Sequence, residues 1–221
     1  MLSNYDTRRE QLRAWLASRF APDSFSLSPA SEDASFRRYF RISAGDRSWI
    51  AMDAPPEHEN CRPFVRVAAL LRAAGLNAPQ ILAQDLESGF LLLTDLGTTT
   101  YLKALNDANA DELFRDAIDA LLRLQLASRA GELPPYDEAL LRRELGLFPE
   151  WYVARHLGIE LDAGQQRTLA EMTTLIMANN LAQPAVYVHR DYMPRNLMVT
   201  EPNPGVLDFQ DAVFGPITYD V

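Results

Sequence analysis

The sequence predicts an α+β chain in two parts: a small antiparallel β lobe with one helix over residues 1–96, and a mainly helical lobe over residues 97–221. Two observations support this division. Short apolar runs separated by turn residues dominate the first part, which is typical of antiparallel strands. Long segments with apolar residues at helical spacing dominate the second part, before short strands return near its end.

The first lobe opens with an amphipathic helix predicted over residues 5–20, in which Leu12, Trp15 and Leu16 recur near helical spacing. Residues 36–53 predict a hairpin, because two apolar arms flank the turn residues Ala44-Gly45-Asp46. The other predicted elements of this lobe are a helix over 63–74 that Gly75 ends, and strands over 80–84 and 90–94.

The second lobe carries long helical patterns over 111–129, 136–157 and 162–180. Asp111 and Asp162 are predicted N-caps, because an aspartate side chain accepts hydrogen bonds from the free N–H groups of a first helical turn. Short strands are then predicted over 185–188, 197–200 and 205–208, the last two joined by "EPNPG".

The composition limits the class of protein. With 48% hydrophobic and 23% charged residues, the 221-residue chain has the make-up of an ordinary globular protein. No apolar run is long enough to span a bilayer, the N-terminus lacks the apolar core of a secretory signal, and the single cysteine, Cys61, excludes an internal disulfide. A net charge of −9 argues against nucleic acid, which needs a basic face. We expect a cytoplasmic protein without nucleic-acid or membrane partners, and its oligomeric state stays open.

The stretch "VYVHRDYMPRNLMV", residues 186–199, places Asp191 and Asn196 in one loop between two apolar runs. Asp208 follows twelve residues after Asn196, and the predicted hairpin between them returns it close to Asn196. Phosphoryl transfer needs a carboxylate that accepts the proton of the attacking hydroxyl, and oxygen ligands that hold Mg²⁺. Asp191 suits the first role, and Asn196 with Asp208 suits the second.

The order His-Arg-Asp, Asn, Asp-Phe is the catalytic pattern of protein-kinase-like folds. One alternative is that Asp191 and Asn196 are ordinary turn formers and Asp208 caps a loop. Another is a hydrolase metal centre, which is poorly supported because the chain has only three histidines. His189 is expected to support the loop through hydrogen bonds.

Five stretches resemble the aminoglycoside phosphotransferase/choline kinase superfamily of small-molecule kinases. They are "EDASFRRYFRI" (32–42), "MDAPPE" (52–57), "GFLLLTDLG" (89–97), "HRDYMPRNLMV" (189–199) and "GVLDFQDAVFGPITYDV" (205–221). Within that superfamily, the chain is most similar to bacterial N-acetylmuramate/N-acetylglucosamine anomeric kinases. The resemblance implies a bilobal protein-kinase-like fold whose lobe 1–96 binds the nucleotide. It also implies that the C-terminal lobe is incomplete, because members of this group continue further.

The resemblance implies a role for each matched residue. Asp191 would be the catalytic base, Arg195 would have a further catalytic role, and Asn196 and Asp208 would bind Mg²⁺. The hinge Thr94, Asp95 and Leu96 would pair with adenine through its backbone. Asp220 would give structural support.

Two departures from the family pattern concern the nucleotide phosphates. The lysine expected on the third strand is absent, and Met52 or Asp53 occupies its place. Some cation should balance the phosphate charge. The candidates are Arg37, Arg38 and Arg41, unless these are exposed strand charges. The covering loop has no glycine, and Ser35 is among the residues small enough to let its backbone N–H groups approach phosphate.

The function implied is that of an ATP-dependent kinase, with Mg²⁺, acting on a small-molecule sugar or amino-sugar acceptor. The expected target is the anomeric hydroxyl of N-acetylmuramate or N-acetylglucosamine in peptidoglycan recycling. One alternative is an aminoglycoside or choline-type phosphotransferase. An alternative of another class is a nucleotide-binding scaffold without turnover, which the missing lysine and glycines suggest.

Overall fold

A computed structural model describes residues 4–21, 24–30 and 36–221. The helices are α1 (Asn4–Ala17), α2 (Cys61–Ala73), α3 (Tyr101–Ala104), α4 (Ala110–Leu126), α5 (Glu138–Leu147) and α6 (Ala163–Leu181), with a π-helical segment at Phe148–His156. The strands are β1 (Ser26–Pro29), β2 (Arg38–Ala44), β3 (Arg47–Asp53), β4 (Ile81–Asp85), β5 (Phe90–Thr94), β6 (Ala185–Val188), β7 (Leu197–Met198), β8 (Gly205–Val206) and β9 (Val213–Pro216). The chain forms two compact units, the first from Met1–Ala120 with Met193–Asp211, the second from Leu121–Tyr192 with Ala212–Val221.

The first unit is built on an antiparallel sheet in the order β1-β2-β3-β5-β4. Phe40 is opposite Ala51, and Ala51 is opposite Leu92. Because side chains alternate across a strand, these three share one face of the sheet. That face packs against Leu12 and Leu16 of α1 in a buried apolar cluster. The apolar periodicity of α1 and the alternation of the strands therefore meet in one core.

Helix α2 and the short antiparallel pair β7–β8 complete the part of the first unit that contains Asn196 and Asp208. The Asn60 side chain caps α2 by accepting a hydrogen bond from the Arg62 N–H at 3.0 Å. Phe64 on the buried face of α2 contacts the fully buried Phe209, with ring centroids 4.8 Å apart. The Val206 N–H donates to the Asn77 carbonyl at 2.8 Å, which fixes β8 within this unit.

The second unit is built around the antiparallel pair β6–β9, in which Val188 is opposite Val213. These two residues join Tyr136, Leu141 and Met177 in a buried cluster. The predicted N-cap Asp162 is confirmed: its side chain accepts hydrogen bonds from the first turn of α6 in a capping box. Among the described residues, no helix has the length and apolar character needed to cross a membrane.

Two local predictions are wrong, and the predictions also miss strand β9. Asp111 is not an N-cap, because α4 begins at Ala110 and Asp111 lies in its first turn, where a negative charge complements the helix dipole. The continuous helix predicted over 136–157 is interrupted: α5 ends at Leu147 and a π-helical segment follows, with Pro149 at its start, where a missing N–H is tolerated. Strand β9 is absent from the predictions because Gly215 and Pro216 are turn-type residues.

Candidate active site

The two residues predicted to hold a metal lie side by side in the first unit. Asn196 precedes β7 and Asp208 follows β8, so the pairing of these strands brings them together. The Asn196 Nδ2 atom is 3.3 Å from the Asp208 Oδ2 atom. Asp208 is exposed and has φ of +60°, a left-handed backbone conformation uncommon outside glycine. Backbone strain of this kind concentrates at functional sites.

Gln210 belongs to the same cluster and is absent from the sequence-based predictions. Its side chain is only 7% exposed, and its Nε2 atom donates to Asp208 Oδ1 at 2.9 Å. Its Oε1 atom is buried without a hydrogen-bond partner in the described part of the chain. An unsatisfied buried oxygen is costly, so this atom suits a cation that would satisfy it. The position of Gln210, two residues after Asp208, was the signal that could have identified it.

This donor set fits Mg²⁺. The cluster offers carboxylate oxygens from Asp208 and amide oxygens from Asn196 and Gln210, which are the hard ligands that Mg²⁺ prefers. Across residues 4–21, 24–30 and 36–221, no three His, Cys, Asp or Glu side chains gather into a possible metal site.

The loop with Asp191 belongs to the second unit and follows β6. Asp220 accepts hydrogen bonds from the His189 N–H at 2.6 Å and the Arg190 N–H at 2.9 Å. The Asp191 N–H donates to Nδ1 of His189 at 3.3 Å, and the His189 side chain is fully buried. Burial raises the pKa of Asp220 above its usual value, although the hydrogen bonds from these two N–H groups act to lower it. Asp220 and His189 thus hold the backbone on both sides of Arg190.

The three arginines considered for phosphate binding all have acidic partners. Arg37 pairs with Glu59 at 2.8 Å. Arg38 pairs with Asp53, whose side chain is fully buried. By strand alternation, Arg38 lies on the sheet face that packs against α1, whereas Arg41 lies on the opposite face.

Arg41 is tied to the predicted hinge. Its Nε atom lies 2.6 Å from Asp95 Oδ2, and its Nη2 atom donates to the Gly97 carbonyl at 2.7 Å. Burial alone would raise the pKa of Asp95, but hydrogen bonds from Arg41, Ser48 and the Gly97 N–H outweigh it, so this pKa lies below its usual value. The Asp95 carboxylate therefore holds the segment after β5 in place.

The remaining predicted residues have different surroundings. Thr94 exchanges hydrogen bonds with Gln80: its N–H donates to the Gln80 carbonyl, and its hydroxyl accepts the Gln80 N–H at 2.9 Å. Leu96 is half-buried. Arg195 is exposed, in a turn closed by the Asn196 N–H donating to the Met193 carbonyl at 2.8 Å. Ser35 lies outside the described residues.

Comparison with known proteins identifies the family. The model of a phosphotransferase enzyme family matches residues 26–221. The chain belongs to this phosphotransferase family. A relative from Pseudomonas aeruginosa, named N-acetylmuramate/N-acetylglucosamine kinase, is 59% identical over 98% of this chain and 67% of its own length. A relative of the same name from Pseudomonas putida is 54% identical over 100% of this chain and 68% of its own length. The chain thus spans about two thirds of these curated relatives.

Solved structures agree on the fold. A thermostable mutant of an aminoglycoside phosphotransferase, in ternary complex with ADP and hygromycin B, aligns with a TM-score of 0.62. The alignment covers 94% of this chain and 73% of that one at 16% identity, which shows the fold alone. The predicted α+β, kinase-like fold and the predicted superfamily are confirmed.

Proposed function

We propose that this phosphotransferase uses ATP and Mg²⁺ to phosphorylate the anomeric hydroxyl of N-acetylmuramate or N-acetylglucosamine, in the cytoplasmic recycling of cell-wall sugars. The observation that carries the proposal is the 59% identity, over 98% of the chain, to a relative named for kinase activity on these two sugars. The residue types at the candidate active site suit the chemistry that such a reaction needs.

Asp191 is the proposed catalytic base. It accepts the proton of the sugar hydroxyl while that oxygen attacks the γ-phosphorus of ATP. A bond forms between the sugar oxygen and phosphorus, the bond to the β,γ-bridging oxygen breaks, and ADP leaves. Asn196, Asp208 and Gln210 are the side chains that would hold Mg²⁺, which when bound would neutralise charge on the phosphate oxygens.

Arg195 is the proposed cation for the transferred phosphoryl group. It is exposed and directly precedes Asn196 in the chain, whereas Arg38 pairs with the buried Asp53 and Arg41 with Asp95 of the predicted hinge. A guanidinium suits this role because it stays charged and donates in a fork to phosphate oxygens. Arg37, paired with Glu59, is the second candidate. The backbone of Thr94, Asp95 and Leu96 is the proposed adenine contact.

The test is a substrate panel with Mg-ATP: N-acetylmuramate, N-acetylglucosamine, kanamycin and choline. We expect ADP release only with the amino sugars, and phosphorus NMR should locate the new phosphate on C1. Asp191→Asn should lower kcat by about 100- to 10,000-fold, the range of general-base contributions. Asp46→Asn, in an exposed hairpin turn, is the matched control and should leave kcat unchanged.

Other outcomes would overturn the proposal. Phosphorylation of kanamycin or choline, and not of the sugars, would show that the acceptor is of that other class. Full activity of Asp191→Asn would exclude Asp191 as the base. Thermal stabilisation by Mg-ATP without phosphorylation of any acceptor would favour a nucleotide-binding scaffold.

A further inference from the structure

Glu144 lies on helix α5, far along the chain from the loop that follows β6 and contains Arg190 and Asp191. Its side chain nevertheless contacts that loop. Its Oε1 atom accepts a hydrogen bond from the Arg190 guanidinium. Its Oε2 atom accepts hydrogen bonds from the hydroxyls of Tyr136 and Tyr219, the second at 3.1 Å. The Arg190 and Glu144 side chains are only 21% and 20% exposed, so solvent screens this ion pair weakly.

The two tyrosines are fixed donors. Burial raises the pKa of Tyr136, and its hydrogen bond to Glu144 raises it further. Burial also raises the pKa of Tyr219, so both hydroxyls keep their protons at neutral pH. The Tyr136 N–H donates to the Phe214 carbonyl at 2.8 Å, and a β-carbon at Gly215 would lie 2.5 Å from the Tyr136 β-carbon. Tyr136 therefore packs directly against β9, and through Tyr136 the Glu144 side chain is connected to the β6–β9 pair.

The loop needs such support because of its backbone. Arg190 has φ of +79°, a left-handed conformation that is strained for a residue with a β-carbon. Strain of this kind persists only where the surrounding structure holds it. Asp220 holds the Arg190 N–H at 2.9 Å, and Glu144 holds the other end of the same residue through its guanidinium. The next residue along the chain is Asp191.

We propose that Glu144 is a positioning residue for catalysis: by anchoring the Arg190 side chain, it maintains the strained backbone that presents Asp191 to the acceptor hydroxyl. This inference rests on the proposed kinase function, in which Asp191 is the base. A displacement of about 1 Å at a reacting group can lower the rate on the order of 100-fold. The effect of losing Glu144 belongs in kcat, because its hydrogen bonds go to Arg190, Tyr136 and Tyr219, and none of these is a proposed nucleotide contact.

The kinetic test compares three variants. Glu144→Leu removes the carboxylate, Glu144→Gln keeps its shape and one acceptor, and Glu138→Gln is the matched control on the same helix, in a pair with Arg142 that is about 60% exposed. We expect Glu144→Leu to lower kcat by about 30- to 100-fold, with KM for ATP within about threefold of wild type. The kcat of Glu144→Gln should fall between those of wild type and Glu144→Leu, and the kcat of Glu138→Gln should equal that of wild type.

A double-mutant cycle tests the route through Arg190. Combining Glu144→Leu with Arg190→Met removes both charges, and the loss in kcat should be smaller than the product of the two single losses, because neither partner is left buried and unpaired. Independent, multiplicative losses would overturn the coupling. A loss confined to KM for ATP would overturn the positioning role.

Hydrogen exchange separates this inference from the proposed function. In Glu144→Leu, amides of residues 189–192 should exchange faster, while those of the β2–β3 hairpin should stay as in wild type. That result supports the role of Glu144 in holding the loop even if wild type phosphorylates none of the sugars, an outcome that refutes only the proposed function. Unchanged loop exchange would overturn the inference. If Glu144→Leu does not fold, Glu144→Gln carries the same measurements.

Discussion

Replacement of Asp53 by asparagine tests what joins helix α1 to the sheet of the first unit. Asp53 is the last residue of β3, and its side chain is fully buried. Arg8 of α1 donates from Nε to Oδ1, and Arg38 of β2 donates from Nε to Oδ2, each at 3.0 Å. One carboxylate therefore balances two guanidinium groups whose side chains are 19% and 21% exposed.

This geometry sets the expected loss in the free energy of unfolding. Asp53→Asn removes the charge between the two arginines and turns an amide donor toward guanidinium donors. Removing one partner of a buried ion pair costs about 3–5 kcal/mol. Because both arginines reach water in part, we expect the lower end, about 3 kcal/mol. In a chain of this size each kcal/mol lowers Tm by about 2–4 °C, so the melting temperature should fall by about 6–12 °C.

The assay is urea unfolding with a thermal melt, on wild type, Asp53→Asn and the control Glu138→Gln. Glu138 pairs with Arg142 in the open, with both side chains about 60% exposed, so its loss should cost less than about 1 kcal/mol. Arg8→Met should cost less than Asp53→Asn, because Arg38 still balances the carboxylate. Equal losses of stability for Asp53→Asn and Glu138→Gln would contradict this expectation, since a buried ion pair would then contribute no more than a surface one.

Two further predictions concern the hinge and the metal site. The pKa of Asp95 lies below its ordinary 3.8, so its stabilisation is present above that value and is lost as pH falls through the lower folded value. In acid, as pH falls below 3.8, the Tm of Asp95→Asn should therefore depend less on pH than the Tm of Asp46→Asn. Parallel curves of Tm against pH for the two variants would contradict this. Gln210→Leu should raise the Mg²⁺ concentration for half-maximal activity by about 10- to 100-fold, as loss of a metal-supporting side chain does, and manganese binding followed by electron paramagnetic resonance should weaken similarly. Unaltered metal affinity would remove Gln210 from the site.

Local rules account for the parts of the fold that could be predicted. The hairpin β2–β3 was predictable because alternating apolar residues flank a turn at Gly45, whose φ of +58° glycine adopts readily. The start of α6 was predictable because Asp162 satisfies N–H groups within its own first turn. Strand β9 was not, because its pairing with β6, and not its own composition, makes "VFGP" a strand.

The chemistry proposed for this protein can be inferred from the amino-acid order alone, because Asp191, Asn196 and Asp208 stand at fixed spacings along the chain that are recognisable without coordinates. Which charges pair with one another, and which groups support the loop around Arg190, became visible only in the folded chain. Arg8 lies 45 residues from Asp53, and Glu144 lies 46 residues from Arg190. No local propensity encodes these pairs, because each arises only when packing brings distant elements together and burial makes an unpaired charge costly.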